Sequence, residues 1–172
     1  MGEQESSEFS YPELADARRL TGGETSLKED LRELFRRMVF NILIDNTDDH
    51  ERNHGLLYED GWSFAPAFDI STQGTAIGYQ GMLVGENGSE ASLRNAVSEC
   101  AHFGLTIEEA SLLIEAIIER AKILLDIYRG AGVESDIASR TQSQLEDRVA
   151  NFSAMRAELP KPKGRGRGSS SR

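Results

Sequence analysis

Several kinds of segment are missing from this sequence, and each absence narrows its class. No apolar run approaches the roughly 20 residues that a membrane-spanning helix needs, and the acidic N-terminus lacks the basic and then apolar order of a signal peptide. A single cysteine, Cys100, excludes an internal disulfide and fits a reducing compartment. The sequence therefore predicts a cytoplasmic protein with no membrane partner, in which Cys100 is a small core residue.

Glycine-rich phosphate loops are missing as well. Neither GxGxxG nor GxxxxGK[ST] occurs, and the residues before the first long apolar pattern are too few for a nucleotide-binding lobe. With 172 residues, of which 38% are hydrophobic, the chain can bury one core. We therefore expect one domain that does not hold a nucleotide by itself.

Charge is distributed unevenly along the chain. The formal net charge is −10, but residues 160–172 hold five basic and no acidic side chains, which leaves −15 on the remainder. The segment 160–172 has too little apolar content to pack, so it is predicted to be a disordered basic tail. It either contacts phosphate backbones or only improves solubility, whereas the acidic body argues against direct nucleic-acid binding by the fold itself.

Apolar periodicity predicts a mainly α fold, a helical bundle. Two patterns of Ser or Thr followed three residues later by Glu, at Ser26 and Thr106, are typical of capping boxes that begin helices. We expect an N-terminal extension over 1–25, a domain over 26–159, and helices over 27–44, 89–103, 107–129 and 134–158.

One short hairpin is expected within the bundle. Apolar residues on both sides of the turn Glu59-Asp60-Gly61 indicate two short antiparallel strands between residues 55 and 65. Five glycines and little periodicity over 71–88 are typical of a long loop. The hairpin would carry the polar segments that lie before and after it.

The most informative polar segment is Asn46–Gly55, which reads Asn-Thr-Asp-Asp-His-Glu-Arg-Asn-His-Gly. Four residues separate Asp48 from Asn53, as they separate base and metal ligand in the protein-kinase catalytic loop. Asp69 lies where a second metal-binding aspartate is expected, and the hairpin would bring Asn53 and Asp69 together. The spacing favours phosphoryl transfer, although any polar turn between a helix and a strand is also rich in Asp and Asn.

Phosphoryl transfer assigns a role to each of these side chains. Mg²⁺ prefers oxygen ligands and keeps several waters, so the carboxylate of Asp69 and the amide oxygen of Asn53 suffice to hold it with ATP. Asp48 is then the candidate base for the attacking hydroxyl. His50 either reaches the transferred phosphoryl group or holds the loop by hydrogen bonding, while Asp49 and His54 are expected to be structural.

Two blocks, Phe35–Gly55 and Trp62–Ile70, resemble the C-terminal portion of HipA-family serine/threonine kinases, the toxins of bacterial type II toxin-antitoxin pairs. The resemblance extends from about Tyr11 to about Phe152. It implies a fold like a kinase C-lobe, with Asp48 as catalytic aspartate and with Asn53 and Asp69 binding magnesium and ATP. Asn46-Thr47-Asp48 replaces the His-Arg-Asp of eukaryotic kinases, and Asp69-Ile70-Ser71 replaces Asp-Phe-Gly.

The resemblance also implies partners. It implies a protein serine as substrate, with aminoacyl-tRNA synthetases as the target class, and a HipB-like helix-turn-helix antitoxin. Family members carry an N-terminal lobe with a phosphate-binding loop and an ATP-anchoring lysine, which we expect to come from a separate chain or an upstream reading frame. The alternative is a non-catalytic binding module, a kinase remnant that engages an antitoxin or substrate. A magnesium-dependent hydrolase is disfavoured because the sequence offers no second carboxylate group.

Overall fold

The computed structural model describes residues 9–22, 24–75, 77–132 and 135–158. Within these residues the chain forms five α-helices and one two-stranded antiparallel hairpin, so the prediction of a mainly α bundle with one hairpin is confirmed. The helices are α1 (Tyr11–Leu20), α2 (Glu24–Ile44), α3 (Leu93–Ser98), α4 (Ile107–Gly130) and α5 (Ser135–Glu158), and the strands are β1 (Leu56–Tyr58) and β2 (Trp62–Phe64). No described helix is both long and apolar enough to span a membrane.

Helix α2 lies at the centre of the fold. It contacts α1, α3, α4, α5 and β2, and one of its faces is wholly buried. Each large apolar side chain on that face contributes about 1.5–3 kcal/mol by leaving water. The residues of this face with no exposed surface are Leu34, Phe35, Met38, Val39, Ile42 and Leu43. Because α2 is fixed at the centre of the fold, the segment that follows it starts from a fixed position.

The predicted start of α2 is wrong. The helix begins at Glu24 rather than after a cap at Ser26. The Ser26 hydroxyl donates to the carbonyl oxygen of Trp62 at 3.2 Å and accepts from the buried guanidinium of Arg18 at 3.0 Å. Ser26 therefore ties the helix to the hairpin and to α1, because a tertiary contact uses the side chain that a capping box would need.

Helix α1 lies within the segment that the sequence predicts as an N-terminal extension. Ser10 and Glu13 form a complete capping box, and Pro12 occupies the first turn, where proline has no hydrogen bond to lose. Tyr11 and Ala15 have no exposed surface and belong to the core. This helix is absent from the sequence predictions. The domain boundaries near 26 and 159 stay predictions. The predicted tail 160–172 lies outside the described residues.

The C-terminal helices follow the predictions more closely. The capping box at Thr106 and Glu109 is confirmed, and α5 begins one residue later than predicted. The predicted helix 89–103 is shorter, because Ser92 caps α3 and the helix ends at Ser98, before a 3₁₀ turn at Cys100–Phe103. Cys100 is 4% exposed and is a core residue, as predicted.

Candidate active site

The candidate site begins where α2 ends. Asp45 follows the last residue of α2 with φ +60°, the left-handed conformation that Asp and Asn tolerate best among residues with a side chain. The Asn46 amide then donates to the Asn41 carbonyl at 2.9 Å, which closes the helix end. The chain therefore enters the motif segment in one fixed direction, as the sequence predicts.

A cation from α5 closes the same helix end. Arg148 donates to the carbonyl oxygen of Ile42 and, at 3.3 Å, to a carboxylate oxygen of Asp45. Burial lowers the pKa of Arg148, and the Asp45 carboxylate opposes that shift. A positive side chain here meets carbonyl groups that the helix leaves unpaired. Helix α5 thus stabilises the point from which the motif loop departs.

The Asp49 carboxylate is the centre of a buried hydrogen-bond cluster. Its Oδ2 accepts hydrogen bonds from Tyr11 Oη of α1, from Asn41 Nδ2 of α2 at 2.8 Å, and from His54 Nε2 at 3.1 Å. Asp49 is 2% exposed and His54 is 8% exposed. The prediction that both residues are structural is consistent with these contacts, since they join the motif loop to two helices.

This cluster shifts the pKa of two of its members. Burial by itself would raise the pKa of Asp49, but the hydrogen bonds from His54, Tyr11 and Asn41, together with the positive charge of His54 when protonated, lower it below its ordinary value of 3.8. Burial and the Asp49 charge raise the pKa of Tyr11 above 10.0. Asp49 is therefore ionised and Tyr11 neutral at neutral pH, so the tyrosine donates to a carboxylate.

Asp48 differs from its buried neighbour. Its side chain is exposed, and it makes no hydrogen bond or ion pair with another residue of the described segments. His50 is half-buried, and its Nδ1 has no hydrogen-bond partner among the described residues. The hypothesis that His50 holds the loop by hydrogen bonding through this atom gains no support, and its role stays a prediction.

Asn53 ends the short 3₁₀ turn Glu51–Asn53 and is 6% exposed. Its backbone amide donates to the His50 carbonyl at 2.9 Å, while its side-chain Nδ2 has no partner among the described residues. The side-chain amide of Gln80 also has no partner among the described residues. Buried polar atoms without partners cost free energy unless water or a ligand meets them. An atom of this kind on the motif loop, Asn53 Nδ2, is therefore a candidate to contact a ligand.

The hairpin brings the chain back towards Asn53. Strand register pairs Leu56 with Phe64, and beyond it the Ala65 amide donates to the Gly55 carbonyl at 2.8 Å. A Cβ atom placed on Gly55 would lie 3.9 Å from the ring of Phe68. Asn53 precedes this contact by two residues and Asp69 follows it by one, so both lie in sequence next to the open end of the hairpin. That they face one metal ion stays a prediction.

Asp69 lies in a segment that is exposed but tethered at both ends. Before it, Arg37 donates to the Ala65 carbonyl at 2.6 Å. After it, the Gln73 amide donates to the backbone oxygen of Asp45 at 3.0 Å, and the Thr75 amide donates to its side chain at 2.8 Å. Asp69 itself has φ +56° and an exposed side chain. Its carboxylate is therefore accessible to a ligand.

These positions fit a magnesium ion held by few protein ligands. No group of three or more His, Cys, Asp or Glu side chains suited to a metal occurs among the described residues. Asp69 and Asn53 offer one carboxylate and one amide oxygen, which suits an ion that takes its remaining ligands from water and from a nucleotide. Together they would offer fewer protein ligands than a structural metal cage does.

The glycine-rich segment 71–88 is a loop, as predicted, and part of it packs against the motif. Met82 and Val84 have no exposed surface. A Cβ atom on Gly81 would lie 2.5 Å from the Asp49 carbonyl oxygen and 3.2 Å from that of Thr47. Only glycine allows the two backbones to lie this close.

Sequence reasoning missed several residues that shape the site. Asn41 occupies the apolar face of α2, and a polar residue there signals a buried partner. Ser10 and Glu13 have the spacing of a capping box, which would have revealed α1 and placed Tyr11 in the core. The close approach of Gly81 and the contact of Arg148 with α2 leave no local signal, because each joins distant parts of the sequence.

Comparison with known proteins identifies the family of this chain and a solved structure with a similar fold. Residues 1–124 match the HipA-like C-terminal domain, and the chain belongs to this family. It is also similar in structure to a chain of the toxin-antitoxin complex of HipA, HipB and operator DNA from Shewanella oneidensis MR-1, with a TM-score of 0.68 at 12% identity. The match covers 88% of this chain and 38% of that chain. No curated protein matches in sequence.

Proposed function

We propose that this chain is the C-terminal part of a HipA-like protein serine/threonine kinase, which transfers the γ-phosphate of ATP to a protein serine. The observation that carries the proposal is the contrast between Asp48 and its neighbours. Asp45, Asn46 and Asp49 are at most 2% exposed, whereas Asp48 is exposed. A carboxylate exposed on a loop that buried neighbours hold in place is suited to accept a proton from a substrate hydroxyl.

The other site residues take roles that follow from their positions. Asn53 and Asp69 would hold magnesium, which neutralises charge on the phosphate oxygens when it is bound. His50, with a ring nitrogen that has no partner in the described part of the chain, is suited to donate to the transferred phosphoryl group. Asp48 orients the attacking serine and accepts its proton.

The proposed partners follow from the family and from the similar structure. The similar chain comes from a complex with HipB and operator DNA, and we propose a HipB-like helix-turn-helix protein as antitoxin for this chain. The chain spans 38% of the length of that solved chain. An N-terminal lobe outside residues 1–172 would supply the phosphate-binding loop, and an aminoacyl-tRNA synthetase is the proposed class of protein substrate.

Metal binding provides the first test. Mn²⁺ replaces Mg²⁺ at oxygen sites and can be followed by electron paramagnetic resonance. The wild-type chain should bind Mn²⁺, and Asp69→Asn should weaken binding about tenfold or more, because it removes the only charged ligand. Asp60→Asn, the same change in the exposed turn of the hairpin, is the matched control and should bind as the wild type does. Equal binding by both variants would exclude Asp69 as a ligand.

Phosphoryl transfer provides the second test. The chain is incubated with radiolabelled ATP, Mg²⁺ and a candidate N-terminal lobe, and labelled protein is measured. Label should appear and should be lost in Asp48→Asn, with Asp60→Asn retaining it. If neither Mn²⁺ binding nor label is found in any pairing, the chain is better described as a binding module that engages an antitoxin or substrate without chemistry.

A further inference from the structure

We propose that the hydrogen bond between His54 and Asp49 sets the spacing of the catalytic loop, so that both are positioning residues. The inference rests on the proposed function, in which Asp48 is the base and Asn53 is a metal ligand. Asp49 directly follows Asp48, and His54 directly follows Asn53. The bond from His54 Nε2 to Asp49 Oδ2, 3.1 Å long, therefore joins the two neighbours of the residues that act on the substrate and on the metal.

This bond limits where the working side chains can lie. Consecutive Cα atoms are about 3.8 Å apart, so fixing Asp49 and His54 fixes the starting points of Asp48 and Asn53 to within one peptide unit. Asp49 and His54 are 2% and 8% exposed, so the bond forms away from water, where it is stronger and costly to lose. We refer to the Asp49–His54 bond as the loop clamp.

The backbone alone holds the loop poorly. Between the two clamp residues, the only regular structure is the three-residue 3₁₀ turn Glu51–Asn53. Its backbone hydrogen bonds run from Asn53 to His50 at 2.9 Å and from His54 to Glu51 at 3.2 Å. A turn this short has little stability of its own, so a side-chain bond across its ends is needed to define one conformation.

Two helices hold the clamp in place. Tyr11 Oη and Asn41 Nδ2 donate to the same Asp49 oxygen that accepts from His54. The Tyr11 ring also meets the His54 ring edge-on, with centroids 5.5 Å apart and an interplanar angle of 72°. Tyr11 thus contacts both clamp residues. The packing of α1 in the core therefore also helps to fix the position of the catalytic loop.

Three substitutions separate positioning from general stability. His54→Gln keeps an Nε2 donor near the same place, His54→Met keeps a similar volume without a donor, and Tyr11→Phe removes a single hydroxyl. Loss of such supporting contacts typically weakens metal binding about 10–100-fold. We expect His54→Met to weaken Mn²⁺ binding about tenfold, His54→Gln to restore most of it, and Tyr11→Phe to lie between them.

The control is Met155→Ala, a buried residue of α5 whose loss creates a cavity but leaves the clamp contacts intact. It should reduce stability without changing Mn²⁺ affinity. Hydrogen exchange of the amides of residues 46–55 is measured in parallel; it should accelerate in His54→Met and not in Met155→Ala. Unchanged Mn²⁺ affinity in His54→Met would overturn the loop clamp, and so would exchange no faster than in Met155→Ala.

The two proposals fail in different ways. If the wild-type chain binds no Mn²⁺ and transfers no label with any N-terminal lobe, the proposed function fails. The loop clamp is then judged by hydrogen exchange alone, and exchange in His54→Met that matches Met155→Ala overturns it as well. If the wild type binds Mn²⁺ and His54→Met binds equally well, the clamp fails while the proposed function stands.

Discussion

The two segments that form the candidate site are held in opposite ways. In the motif loop, Asp45, Asn46, Asp49, Asn53 and His54 are all at most 8% exposed, and side chains of α1, α2 and α5 bind it. The segment around Asp69 is exposed and is tethered before and after the aspartate, at Ala65 and at Thr72, Gln73 and Thr75. The difference separates a loop that three helices hold in place from a segment that lies exposed between its tethers.

The two left-handed aspartates illustrate the same difference. Asp45 and Asp69 have φ values of +60° and +56°. Asp45 is wholly buried, and its carboxylate accepts from Thr75 and Arg148. Asp69 is exposed and has no such contacts among the described residues. Left-handed conformations cost free energy that surrounding structure must offset, and among the described residues the side-chain contacts that could do so are present at Asp45 and not at Asp69.

The largest effect is expected from a comparison of adjacent residues. Asp49→Ala removes the acceptor that three buried donors share and should lower the free energy of unfolding by about 3–5 kcal/mol. Asp48→Ala is the matched control, because it makes the same change at an exposed side chain and should stay within about 0.5 kcal/mol. Urea unfolding followed by the fluorescence of Trp62, the only tryptophan, measures both.

Similar losses for the two variants would break the distinction between a maintained and a working aspartate. A large loss for Asp48→Ala would mean that Asp48 holds the loop, and the proposed base would then have to be sought elsewhere. A small loss for Asp49→Ala would mean that the buried cluster adds little, which would also weaken the case for the loop clamp.

The second prediction tests the packing of the glycine-rich segment on the motif loop. Gly81→Ala places a Cβ 2.5 Å from the Asp49 carbonyl oxygen, so the backbone must shift, at a cost of about 1–3 kcal/mol. Gly130→Ala is the control, since nothing lies within 4 Å of its added methyl group and it lies in a helix. It should be neutral or stabilise by up to about 1 kcal/mol. Thermal unfolding of both variants gives the comparison.

The third prediction concerns acid. The pKa of Asp49 is lowered in the folded state, so between its folded and ordinary values the unfolded chain binds more protons. The stabilisation by Asp49 is therefore present above pH 3.8 and is lost as the pH falls through the folded pKa. Urea unfolding from pH 6 down to pH 2 should show the advantage of wild type over Asp49→Asn shrinking as the pH falls. A constant difference would contradict the shift.

The sequence predicts those parts of the molecule that depend on local pattern. Apolar period gives α2, α4 and α5 nearly complete, and turn residues give the hairpin. Because a hairpin register is set by its turn, the spacing also puts Asn53 and Asp69 on the two chain segments that leave its open end. Each of these features is decided within about 20 residues of chain.

The parts that failed depend on distant partners. The capping pattern at Ser26 is locally as good as the one at Ser10, yet Ser26 lies inside α2 and binds Trp62, while Ser10 caps a helix. Which of the two patterns begins a helix depends on the contacts that the folded chain makes, and a window of three or four residues does not show those contacts. The sequence predicts that Asp49 is structural, but two of its partners, Tyr11 and Asn41, lie 38 and 8 residues away, and nothing next to Asp49 in the sequence identifies them.

The smallest effect on stability is expected at Asp69. Asp69→Asn keeps a residue that tolerates positive φ and removes no contact with the described residues, so the free energy of unfolding should change by less than about 0.5 kcal/mol. Asp45→Asn makes the same change at the buried aspartate, weakens the ion pair with Arg148 and should cost more than about 1 kcal/mol. Equal losses would show that Asp69 is structural. A stable Asp69→Asn protein that has lost Mn²⁺ binding would instead separate function from folding at a single carboxylate, which is what an exposed aspartate in a strained conformation requires.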